Sequence, residues 1–183
     1  MNYGRDIERI LISEAEIAKR VAELGEQISR DYAGRDIMLI AVLKGAYMFT
    51  ADLIRKIEGD VSVDFISIRS YNGTTTSGEV HLLQDLKAPV YGKNILLVED
   101  IIDSGITLSY LKNMLLARKP GSFKIACLLD KADRRQVPQV IDYAGFTIPN
   151  EFVVGYGMDY NEKYRNLPDI CVLAPSEYQG DKA

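Results

Sequence analysis

Three short runs in this chain are almost continuously apolar: Ile37–Leu43, residues 94–98 and residues 123–129. Each is too short to cross a membrane and too uniformly apolar for a strand with one wet face. Each therefore reads as a strand buried on both sides, as in a parallel sheet packed between helices. Val61–Tyr71 is a fourth strand, alternating and rich in β-branched residues. The clearest helix spans residues 13–32. Ser13 and Glu16 form a capping-box pattern, and Ile17, Val21, Leu24 and Ile28 recur at helical spacing. Residues 46–57 and 107–118 read as further helices, the second ended by Lys119-Pro120-Gly121. Strands alternating with helices predict an α/β fold: a parallel sheet flanked by helices. Short strands at 151–154 and 171–173 lie outside that alternation, as do the first 35 or so residues. These chain ends are expected to form a small cap over the sheet.

Composition narrows the function classes. The chain has 183 residues, enough for one domain with a real core. Its 22 basic and 26 acidic side chains give a net charge of −4, which disfavours generic nucleic-acid binding. The single histidine, His81, excludes any two-histidine metal helix. Cys127 and Cys171 each sit in an apolar run and read as reduced core thiols. No apolar stretch has the length of a signal peptide or a membrane span. This is the profile of a soluble cytoplasmic chain.

In open α/β sheets, ligands bind beyond the carboxyl ends of the strands. The turn after the strand at 94–98 carries the densest chemistry: Glu99 and Asp100, then Asp103, then Ser104-Gly105-Ile106-Thr107 opening a helix. Backbone N–H groups, two hydroxyls and a helix N-terminus suit a phosphate. Paired carboxylates suit a hydrated Mg²⁺ or sugar hydroxyls. One such carboxylate could be a helix cap or a solvated loop residue. Three, between a buried strand and a Ser-Gly-x-Thr turn, point to a phosphorylated sugar. The Walker and dinucleotide glycine patterns are both absent.

Residues 98–107 (VEDIIDSGIT) resemble the phosphoribosyl-pyrophosphate (PRPP) signature of type I phosphoribosyltransferases, and in particular its hypoxanthine-guanine branch in bacteria. Four further segments extend the resemblance over roughly residues 39–173. Leu43-Lys44-Gly45 is similar to the pyrophosphate loop, and Ser70-Tyr71 with the loop after it to the catalytic lid at 70–80. Residues 128–131 resemble the purine-reading lysine segment. Residues 152–162, followed by Arg165, resemble the base-binding motif. The resemblance implies the type I phosphoribosyltransferase fold in one domain over 1–183, with a core at about 36–150. A hood would be built from about 1–35 and 151–183.

It also implies roles. Asp103 would be the proton-transfer group at purine N7. Glu99 and Asp100 would meet the ribose hydroxyls and Mg²⁺, with Asp159 at a second Mg²⁺. Asp103, Ser104, Gly105, Ile106 and Thr107 would hold the 5′-phosphate, Ile106 through its backbone only. Lys44, Gly45 and Arg165 would hold pyrophosphate. Lys131 would donate to a 6-oxo group, Phe152 would stack on the base, and Val153 and Asp159 would meet its far edge. His81 belongs to no motif and reads as structural or solvated. The implied partners are PRPP, hypoxanthine and guanine, in a homodimer or homotetramer, with no nucleic acid and no membrane. The rival in another class is an RNA-binding regulator on the same fold, similar to the pyrimidine-operon attenuator. The net charge, Lys131 and the 152–162 motif weigh against it. Within the enzyme class, Lys131 disfavours adenine and the purine-type motif disfavours orotate, while xanthine stays open.

Overall fold

The computed structural model describes residues 4–71 and 79–179. A six-stranded sheet has the order β4-β3-β2-β5-β6-β7. Its strands are β2 (Ile37–Leu43), β3 (Val61–Tyr71), β4 (Glu79–Gln84), β5 (Asn94–Ile102), β6 (Ser122–Asp130) and β7 (Tyr143–Thr147). All neighbours are parallel except β4, which runs antiparallel to β3 at the edge. β1 (Ile7–Ile12), β8 (Val153–Val154) and β9 (Ile170–Leu173) form a separate antiparallel sheet, ordered β1-β9-β8. The expected parallel sheet flanked by helices is borne out. β1, β4 and β7 are additions that the apolar pattern did not announce.

The helices follow their sequence signals closely. α1 (Glu14–Asp31) starts where expected because the capping box closes: Ser13 N–H donates to Glu16 Oε2 at 2.8 Å, and Glu16 N–H to Ser13 Oγ at 3.4 Å. Ile17, Val21, Leu24 and Ile28 are buried. They pack on the same face of the large sheet as Phe49 and Leu53 of α2 (Tyr47–Ile54). α1 thus covers the large sheet, and only the segment before it joins the small one. Gly25 permits this packing, since a Cβ there would lie 2.4 Å from Lys56 Cβ. The opposite face is filled by Leu108, Leu111 and Leu115 of α3 (Ile106–Leu116). α2 is shorter than expected and α3 begins one residue earlier.

The strand order places the site. From β2 the chain goes to β3 on one side, while β5 lies on the other side of β2. The crevice at such a reversal is where α/β sheets bind ligands. Here it is flanked by Lys44-Gly45 after β2 and by the end of β5.

A buried acid ties the edge of the sheet to the following loop. Asp64 of β3 accepts backbone N–H bonds from Phe65 (2.8 Å), Lys87 (2.8 Å) and Ala88 (2.9 Å). Burial alone would raise its pKa, but the three donors outweigh it and hold the carboxyl below the usual range. A depressed folded pKa adds stability above the unfolded value of about 3.9, and this is lost as pH falls. Asp64→Asn is expected to cost roughly 1.5–3 kcal/mol at pH 7. Urea unfolding at pH 7 and pH 3.5 checks this, with the deficit shrinking at the lower pH.

Candidate active site

The loop expected from residue 100 is instead strand. β5 continues to Ile102, with Ile101 and Ile102 in register with Leu129 and Asp130 of β6. Asp100 is therefore held by a ladder rather than a turn. Successive strand side chains turn to opposite faces. Glu99 lines only a smaller cavity of about 190 Å³, whereas Asp100 lines both that cavity and a larger one of about 460 Å³.

Asp100 lies directly against the turn after β2, where the Leu43–Lys44 peptide is cis. A Cβ on Gly45 would sit 1.7 Å from Asp100 Oδ2, so any other residue would force the Asp100 carboxyl from its place. Gly157 packs on the other side: a Cβ there would be 2.4 Å from the Gly45 carbonyl. Burial pushes the Glu99 carboxyl well above the usual range, with the Asp100 charge adding to it. Burial also pushes Asp100 up to about 6, against the pull of its own backbone donors and Arg165.

The smaller cavity is lined by Glu99, Asp100, Asp103, Ser104, Gly105, Thr107 and Leu108, among others. Gly105 takes φ 81°, a left-handed conformation that suits glycine, and caps α3 with no side-chain hydrogen bond to the helix. The first N–H of α3, that of Ile106, donates to Ser104 Oγ at 3.4 Å, and the helix N-terminus beside the cavity suits an anion. A Cβ on Gly105 would meet the Val137 carbonyl at 2.6 Å. Backbone bonds fix the turn from behind: Gln136 and Val137 N–H groups donate to Ser104 O at 2.9 and 3.0 Å. Ile106 lines neither cavity with its side chain.

The larger cavity brings together Lys44, Gly45, Asp100, Asp103, Lys131, Phe152, Val153, Asp159 and Arg165, all of them expected site residues. Lys131 follows β6, and its N–H donates to Ile102 O at 3.0 Å. Its side chain is buried, and that burial lowers its pKa, opposed by the charge of Asp103. Asp103 itself accepts from Arg134 Nε at 3.0 Å. The two cations at the far end are both occupied. Lys44 Nζ lies 2.9 Å from Glu162 Oε1, and Arg165 lies 2.8 Å from Asp159 Oδ1 and 3.1 Å from Glu162 Oε2. The Lys44 ammonium and the Arg165 guanidinium hold the Glu162 carboxyl below its usual range.

Of the lid residues, Ser70 and Tyr71 end β3, while 72–78 lie outside the described residues. Ser67, Ile68 and Arg69 of the same strand do line the larger cavity. Sequence reasoning gave no role to Arg134 or Glu162. The Asp159-x-x-Glu162-x-x-Arg165 spacing was a usable signal for the second of these.

Comparison with known proteins settles the family. The Phosphoribosyl transferase domain matches residues 8–161. The chain belongs to the phosphoribosyl transferase family. It is 50% identical to the hypoxanthine-guanine phosphoribosyltransferase of Bacillus subtilis, over 95% of this chain and 97% of that one. It is also 49% identical to the bifunctional protein TilS/HprT of Listeria innocua, covering 94% of this chain but only 27% of that protein's length. Among solved structures, a hypoxanthine-guanine phosphoribosyltransferase of Bacillus anthracis with HEPES in its active site matches at 50% identity and TM-score 0.87, covering 92% and 98% of the two chains. A hypoxanthine phosphoribosyltransferase of Staphylococcus aureus matches at 42% identity and TM-score 0.91, over 94% and 95%. The hypoxanthine-guanine branch implied by the sequence is thus borne out.

The raised pKa of Asp100 has a stability consequence. A carboxylate whose folded pKa lies above its unfolded value destabilises the fold progressively as pH rises from about 4 towards 6. Asp100→Asn is expected to melt above the parent in ligand-free protein at pH 8. The difference should close towards pH 4 in melting curves.

Proposed function

We propose that the chain is a hypoxanthine-guanine phosphoribosyltransferase. It transfers the phosphoribosyl group of PRPP to N9 of hypoxanthine, and of guanine, giving IMP or GMP and pyrophosphate. One observation carries this reading: two cavities share Asp100 and Asp103, one presenting a Ser-Gly-x-Thr turn at a helix N-terminus, the other a buried lysine and an aromatic ring. That is a phosphate site and a flat-base site on either side of a carboxylate pair. Relatives of that name across nearly the whole chain support it.

In the reaction the C1–O bond of PRPP breaks, its electron pair leaving with pyrophosphate, as the C1–N9 bond forms. The purine N7 proton passes to the Asp103 carboxylate. That side chain is partly exposed and borders both cavities, so it can reach a base seated beside Lys131. Lys131 donates to the 6-oxo oxygen, which a 6-amino group cannot replace as an acceptor. Lys44 and Arg165 exchange their Glu162 and Asp159 contacts for pyrophosphate oxygens. The Lys44–Glu162 pair is exposed, so its exchange costs little; the Arg165–Asp159 pair is half-buried and is exchanged for a stronger anion. Ser70 and Tyr71 lead into the lid of this reading, which shields the oxocarbenium-like transition state from water.

The residues fit Mg²⁺ as a substrate-borne cofactor. Among the described residues no three or more acidic, histidine or cysteine side chains form a metal cage. Mg²⁺ characteristically keeps its waters and takes one or two carboxylates plus substrate phosphates. Glu99 and Asp100 would hold one such ion and Asp159 a second, and they would supply neutralisation of the pyrophosphate charge. Glu99 and Asp100, both reluctantly ionised, are the kind of groups that a cation relieves.

Purified protein with PRPP and Mg²⁺ tests the reading against hypoxanthine, guanine, xanthine, adenine and orotate. Nucleotide is expected from hypoxanthine and guanine, with none from adenine or orotate, and none from any base in excess chelator. Failure with every base would turn attention to RNA binding. Asp103→Asn is expected to lower kcat by 10²-fold or more, in line with loss of a proton-transfer group. PRPP affinity, measured by calorimetry, should change by less than about threefold. Weakened PRPP binding with unchanged kcat would remove Asp103 from proton transfer.

A further inference from the structure

Phe152 is the only aromatic side chain among the described residues that lines the larger cavity. Its ring is 37% exposed, so the cavity side alone would leave it free to swing. It is held from elsewhere. The ring of Tyr178 stacks on it, with centroids 5.1 Å apart and planes inclined by 23°. Tyr160 meets it at 5.4 Å and 87°. Both are favourable aromatic geometries. Tyr178 itself does not line the cavity, so it meets Phe152 outside the cavity wall.

Tyr178 comes from α4 (Pro175–Gln179), the last helix of the chain. Its place relative to Phe152 is set by backbone. Leu173 N–H donates to Phe152 O at 2.9 Å, and α4 begins two residues after Leu173. Tyr178 and Tyr160 also pack on the buried cluster of Val154, Cys171 and Leu173. Residues 175–179 therefore deliver a ring against the one aromatic side chain, among the described residues, that lines the cavity.

We propose that Tyr178 is a positioning residue for the purine: it backs Phe152 and fixes the plane on which the base stacks. This rests on the placement of the purine against Phe152 proposed above. An aromatic platform ordered before binding spares the base the cost of ordering it. Tyr178 touches no substrate and acts only through Phe152, and its ring rather than its hydroxyl does the work.

The test compares Tyr178→Ala, Tyr178→Phe and Phe152→Ala with the parent. Readouts are KM for hypoxanthine, Kd for IMP, Kd for PRPP and the melting temperature. PRPP carries no base and serves as the internal control. Tyr178→Ala is expected to raise the hypoxanthine KM and the IMP Kd by roughly 3- to 10-fold, the range of one aromatic pair. PRPP affinity should stay within twofold, and Tyr178→Phe should restore the parent values. Unchanged base and IMP binding in Tyr178→Ala, with clear loss in Phe152→Ala, would overturn the role of Tyr178 and leave the purine site standing. Equal weakening of PRPP and IMP with a lower melting temperature would reduce Tyr178 to general packing and also overturn it. No loss in Phe152→Ala would overturn the purine placement itself, and the role of Tyr178 with it.

Discussion

Two consecutive carboxylates, Glu99 buried and Asp100 half-buried, stand near the end of β5, and the rest of the site is arranged around that fact. Glu99 and Asp100 lose hydration on folding, and each is pushed towards its neutral form. A fold tolerates this only where something is regained when the site is occupied. The ladder to β6 prevents the strand from relaxing outward. The Gly45 turn closes against Asp100 so tightly that no side chain could stand between them. Gly157 in turn packs on Gly45 and carries the segment bearing Asp159 and Arg165. Three remote pieces of sequence are thus registered on one acid, Asp100.

Electrostatically, the site is self-neutralising at its mouth and strained at its floor. Lys44 and Arg165 rest on Glu162 and Asp159; the Lys44–Glu162 pair is exposed and easily weakened by water and salt, while the Arg165–Asp159 pair is half-buried. At the floor, burial outweighs the backbone donors and the Arg165 charge that favour the ionised Asp100. A polyanionic substrate arriving with a divalent cation would satisfy both regions at once, displacing weak internal pairs above and neutralising buried acids below. This asymmetry favours a charged ligand brought with its counterion over either alone.

The sequence made the central architecture legible for a simple reason. A strand covered on both faces must be apolar throughout, and β2, β5 and β6 are. The edges were harder. β1 (IERILI) and β4 (EVHLLQ) carry charged or polar residues because each has a face or an edge in water. β7 contains Gly145, which fits because a Cβ would meet Leu128 O at 2.3 Å. Its reason for being a strand lies in its neighbour. The site residues were legible as ordered motifs, since chemistry fixes residue types locally. Three things needed coordinates: that Asp100 lies in a strand, that Arg134 reaches Asp103, and that Tyr178 reaches Phe152. The last two contacts join residues 31 or 26 positions apart, with no periodicity to betray them.

One set of backbone bonds sets a dimension. The Ser104 carbonyl receives the N–H groups of Gln136 and Val137, and the Ile102 carbonyl receives that of Lys131. The turn that would grip a phosphate and the segment that would read a base are laced together by main chain, with no flexible side chain between them. Their separation cannot be retuned by changing a single residue type. The site therefore behaves as a fixed gauge for molecular length. A ligand whose anionic end and flat end are spaced too closely or too far apart is refused by the spacing itself, however well either end fits alone.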